Sequence, residues 1–143
     1  MIEAKSLGLE EARQIAEAAL KAAAETKPPD RPMSIAVVDS SGNLTYFARM
    51  DGASPNSVNM AINKAYTAIR WKRDCIDIMN GFVRTGGDMA WFGDPRYAPV
   101  PGGVLIKSGD GTIVGAIGTS GRVGETPVND EELARIGAKA AKV

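Results

Sequence analysis

Ser34-Ile35-Ala36-Val37-Val38-Asp39-Ser40-Ser41-Gly42-Asn43-Leu44-Thr45-Tyr46-Phe47-Ala48-Arg49 is an apolar run, a Ser/Gly/Asn turn and a second run of strand-forming residues. That order predicts a β-hairpin with strands over 33–39 and 43–49, and Gly42 supplies the positive φ of its tight turn. The second strand closes on the charged corner Arg49-Met50-Asp51-Gly52. Ser54-Pro55 then opens a helix, the serine as cap and the proline at the first position, where a missing N–H costs nothing. The helix is expected to run to about Trp71. Val58, Ala61, Ile62, Ala65, Ala68 and Ile69 fall on one side of it and are read as core.

Upstream, Ala12, Ala16, Ala19, Leu20 and Ala23 mark a narrow small-residue face on an Ala-rich helix that stops at Lys27-Pro28-Pro29. Downstream, a short helix is expected over 74–79, and 81–101 reads as a long loop rich in glycine and proline. Residues 104–107 and 112–119 form a second hairpin around Gly109-Asp110-Gly111. Asn129 with Glu132 makes a capping box for a last helix whose apolar face is Leu133, Ile136, Gly137, Ala140 and Ala141. No boundary or repeat divides the chain. The pattern is α+β, a single domain over 1–143 with an antiparallel sheet packed by helices.

Four separated motifs stand in one order: the hairpin with its Arg49-Met50-Asp51-Gly52 corner, Lys64-Ala65-Tyr66-Thr67-Ala68, Pro101-Gly102-Gly103-Val104-Leu105-Ile106, and Gly115-Ala116-Ile117-Gly118-Thr119-Ser120-Gly121. In this the chain resembles the GlcG/HbpS family, which includes the C-terminal domain of PduO, from about Leu9 to Ala141. The resemblance implies a profilin-like or PAS-like sandwich assembled into dimers or higher homo-oligomers. It also implies haem or another tetrapyrrole as ligand. The Glu-x-x-Glu iron pattern of part of that family has no counterpart here.

Composition narrows the chemistry. Lys+Arg and Asp+Glu balance at 17 each, so no overall field recruits nucleic acid or an anionic membrane. The apolar stretches are strand-sized, no secretory leader is evident, and a lone Cys75 forms no internal disulfide; the expected compartment is the cytoplasm. There is no histidine. That excludes a Ser-His-Asp triad, a His-rich zinc site and a proximal-His haem within one chain, leaving Met, Cys75, Tyr or Lys for any axial ligation. No bound metal is expected.

Helical angles line up Met60, Lys64, Thr67 and Trp71: a cation, a hydroxyl and two adaptable apolar groups suited to a flat, acidic small molecule. The alternative for Lys64 is a pairing with an acidic neighbour. Arg49 and Asp51, at the entrance to the helix, either grip a carboxylate or merely shape the corner. Thr119 and Ser120, ending a strand, offer hydroxyls to a cleft wall. Arg84, Trp91, Phe92, Arg96 and Tyr97 either fold over a planar carboxylated ligand or pack into a neighbouring subunit, and the subunit contact is the preferred reading. The function expected is therefore binding of a small, anionic, partly planar ligand. The rival is a His-independent acid–base enzyme (an isomerase, lyase or hydrolase) working through Lys64 or Asp51, and a third reading is a purely structural role.

Overall fold

The computed structural model describes residues 1–143. Its elements are α1 (Leu9–Ala24), β1 (Ser34–Asp39), β2 (Leu44–Arg49), α2 (Pro55–Trp71), α3 (Cys75–Thr85), β3 (Gly103–Lys107), β4 (Ile113–Ser120) and α4 (Asp130–Lys139), with a 3-10 turn over Met89–Phe92. All strand pairs are antiparallel, in the order β2-β1-β4-β3. The two hairpins are thus joined through β1 and β4. Those central strands are buried nearly throughout, as their Val, Ile, Ala and Gly content requires.

Helices cover both faces. Ile15, Ala16 and Ala19 of α1 and Leu133 of α4 pack with Ile35, Val37, Ile106 and Ile117 of the sheet in the larger core. On the other face, Ala65, Ala68 and Ile69 of α2 meet Val38, Leu105 and Ala116. The α2 contact is unusually close because Gly118 offers no side chain: a Cβ there would lie on the Ala61 carbonyl oxygen and 2.7 Å from the Ala65 nitrogen.

Local signals place the helix starts. The Ser54 side chain accepts the Ser57 N–H at the head of α2, and Asn129 accepts the Glu132 N–H at the head of α4. Three expectations need correction. Val58 and Ile62, read as core, are only partly buried and join neither core cluster, because α2 turns its Ala61, Ala65, Ala68 and Ile69 side to the sheet. The short helix over 74–79 continues to Thr85 before Gly86 ends it in a left-handed cap, because Gly81 lies within the helix rather than stopping it. Ile136, assigned to the apolar face of α4, is 39% exposed, and Ala134 is buried instead. No helix is long and apolar enough to cross a membrane.

Candidate functional site

Where β4 ends, α2 passes and α4 begins, the fold leaves a cleft of about 580 Å³. Met60, Val100, Pro101 and Val123 give its apolar walls; Asn56, Ser120 and Asn129 add neutral polar groups, and Lys64, Arg122, Asp130 and Glu131 bring charge. A somewhat larger groove, about 640 Å³, lies at the opposite end of the sheet around Lys5, Ser40, Ser41 and Lys72. Its charged residues are exposed and Lys5 is paired with Asp110, so it lacks the buried, converging groups that mark a binding site.

Lys64 is 1% exposed. Its Nζ donates to the Thr119 carbonyl oxygen at 2.9 Å and to Asp130 Oδ2 at 3.3 Å. An ammonium has three hydrogens, and the third has no protein partner. The chain makes room for this lysine at Gly102, where a Cβ would sit 3.1 Å from Nζ and 2.6 Å from the Thr119 carbonyl oxygen. Asp130 is also fully engaged, since Oδ1 accepts the Arg122 backbone N–H at 2.9 Å.

Arg122, equally buried, spends its guanidinium on the Arg31 and Ala23 carbonyls and the Thr26 hydroxyl. Beside it Glu131 accepts the Gly102 N–H, and Arg135 Nε lies 2.8 Å from its other oxygen, out of line for a hydrogen bond. Burial pushes the Glu131 carboxyl upward; the Gly102 N–H and Arg135 oppose this only partly. The floor of the cleft is therefore a set of compensated charges with one ammonium hydrogen to give.

The stripe read from the sequence divides. Met60 and Lys64 line the cleft, but Met60 to Trp71 spans about 16 Å of helix, longer than one small site. Thr67 donates to Asn63 O and accepts the Ala98 N–H, fastening the long loop to α2. Trp71 packs edge-on against Phe82, Phe92 and Tyr97. The same loop is held by Asp94 and Arg96, both bonded to the Tyr66 hydroxyl; Arg96 and then Tyr66 hold the Asp94 carboxyl well below the usual range.

Ser120 lines the cleft; Thr119 stands behind it, its hydroxyl donating to the Asp130 carbonyl at 2.6 Å. Arg49 and Asp51 are exposed and outside the cleft. The register explains this: Arg49 pairs with Ser34, and Ser34 with Ser120, so a whole strand, about 10 Å of sheet, separates Arg49 from the cleft wall. The buried guanidinium belongs to Arg122 instead. Nothing in the sequence distinguishes Arg122, since its role depends on α1 and the 26–31 turn closing over it. Cys75 is buried, gives its S–H to the Lys64 carbonyl, and is pushed by burial up to about 12. No three His, Cys, Asp or Glu side chains come together as a metal cage.

The family model described as "Haem degrading protein HbpS-like" matches residues 7–139. The chain belongs to the HbpS-like family. Within it, a double mutant of Streptomyces reticuli HbpS superimposes with a TM-score of 0.80 at 31% identity, covering 97% of this chain and 89% of that one. PduOC, crystallised as a heme complex, superimposes with a TM-score of 0.79 at 25% identity over 94% of both chains. An uncharacterized 15.0 kDa protein of the dhaT-dhaS intergenic region of Citrobacter freundii is 32% identical over 92 residues, 63% of this chain. The match spans 64% of that relative's length.

Proposed function

We propose that this HbpS-like chain binds a planar, carboxylate-bearing small molecule of the tetrapyrrole class in the cleft between α2, the end of β4 and the start of α4. The observation that carries the reading is the cleft itself: apolar walls at Met60, Val100, Pro101 and Val123 over a buried Lys64 with an uncommitted N–H. Flat apolar ligands gain from such walls, and a few placed polar groups fix their orientation. Lys64 and Ser120 are the assigned contacts for a carboxylate, Met60 for the flat face. The kinship with PduOC, solved with heme, supports the ligand class. The residues present fit haem through the apolar walls, the Lys64 hydrogen and the Met60 thioether, in a chain without histidine. Bound haem supplies a redox-active iron within a flat apolar ring.

Homo-oligomeric assembly and a reducing compartment such as the cytoplasm, which suits the free thiol of Cys75, belong to the same proposal. The test is a haemin titration followed by difference absorbance, with native mass spectrometry of the purified protein. Saturable uptake of one haem per chain is expected. Val123→Trp, an exposed position on the cleft rim, should weaken it at least tenfold. Absence of uptake, or uptake indifferent to Val123→Trp, overturns the assignment.

A further inference from the structure

We propose that Met60 is the residue through which this chain ligates the iron of a tetrapyrrole, its thioether sulfur donating a lone pair from the α2 wall of the cleft. The inference rests on the cleft reading above and goes beyond it by naming the metal contact.

The argument is one of donor availability. The chain has no imidazole. Cys75 is fully buried outside the cleft, and its thiol, pushed up to about 12, is neutral and already gives its proton to the Lys64 carbonyl. The Tyr66 hydroxyl is occupied by Asp94 and Arg96, and no tyrosine lines the cleft. Of the carboxylates in the cleft, both oxygens of Asp130 are engaged, and Glu131 holds the Gly102 N–H while facing Arg135; Ser120, Asn56 and Asn129 offer only neutral, hard oxygens, and that of Asn129 already caps α4. Lys64 beside Asp130 is an ammonium with no lone pair to give.

Met60 stands apart from all of these. It lies on the cleft wall, is only partly buried, and its sulfur is in no hydrogen bond. A thioether is neutral, so it ligates without losing a proton and without the cost of desolvating a charge. It is also a soft donor on a flexible stem, matched to an iron that cycles to the ferrous state. Met ligation raises a haem potential relative to harder donors.

The experiment loads the full-length chain with haemin and compares wild type, Met60→Leu and Met60→His by absorbance in both oxidation states and by potentiometry. Met60→Leu conserves volume and hydrophobicity, so the fold is expected to hold; circular dichroism verifies this. In wild type the ferric complex should show a weak sulfur-to-iron charge-transfer band. Met60→Leu should abolish the band and lower the midpoint potential while haem is still taken up. Met60→His should give a low-spin, imidazole-type spectrum. A loaded Met60→Leu protein whose spectrum and potential superimpose on wild type overturns the inference and leaves the cleft reading standing. Failure of the wild-type chain to take up haemin overturns both.

Discussion

A lysine ammonium sits almost wholly out of water in this fold because Asp130 and the Thr119 carbonyl replace its hydration. Such a pair does little for net stability, yet breaking it by removing one partner leaves an uncompensated charge indoors, at a cost of about 3–5 kcal/mol. Lys64→Met is therefore expected to destabilise by that order in urea unfolding. Adding Asp130→Asn should recover part of the loss, since the amide keeps an acceptor for the Arg122 N–H and carries no charge. A double variant no better than the single one would show that Asp130 does not feel the lysine.

Glu131 gives a pH-dependent counterpart. Its carboxyl is raised by burial, so its contribution favours the fold below the unfolded value of about 4.3 and is lost as pH rises through the folded value. Glu131→Gln keeps an acceptor for Gly102 but does not titrate. Its melting temperature relative to wild type should therefore climb between pH 4 and pH 7. A constant difference across that window contradicts the assignment.

Among the elements, α2 against β4 is the contact that builds the cleft wall, and it depends on Gly118. Any side chain there must displace the α2 backbone at Ala61 and Ala65, so Gly118→Ala is expected to cost about 1–3 kcal/mol or more, the usual range for overpacking. The fall should appear as a lower urea midpoint; a midpoint equal to wild type would show that α2 moves freely on the sheet. This spacing also marks what the sequence can reveal. Both hairpins, the Ser54 and Asn129 caps and the apolar side of α2 are encoded by neighbours within a few residues, and they are legible. The fate of Lys64 depends on Asp130, sixty-six residues away, and that of Arg122 on carbonyls in α1 and the following turn. Local pattern carries no trace of such partners. Arg49 falls outside the cleft for the same reason, because its distance from Ser120 is fixed by strand order, which a hairpin signal leaves open.

Across the whole molecule, charge is balanced in number, at 17 residues of each sign. Around α3 and the 3-10 turn, Val83, Trp91 and Phe92 are 78%, 76% and 54% exposed, with Arg70, Arg73, Arg84, Asp77 and Asp88 nearby exposed and in no ion pair. Elsewhere on the surface, exposed charges of both signs stand without ion pairs, among them Glu3, Glu25, Glu125, Glu132, Lys21, Lys27 and Lys107. In the homo-oligomer proposed above, this exposed aromatic patch is the surface assigned to a second copy. Aromatic side chains at its centre supply the binding energy, with the arginines setting orientation. Light scattering of the purified protein should give a multiple of the single-chain mass. Trp91→Ser with Val83→Ser should reduce it to one chain, with circular dichroism unchanged because both side chains are about three-quarters exposed. Raising salt to about 1 M, where the screening length is about 3 Å, should weaken association of wild type by removing the orienting charges. A wild-type chain that is monomeric at high concentration and low salt would leave the patch without the partner argued here.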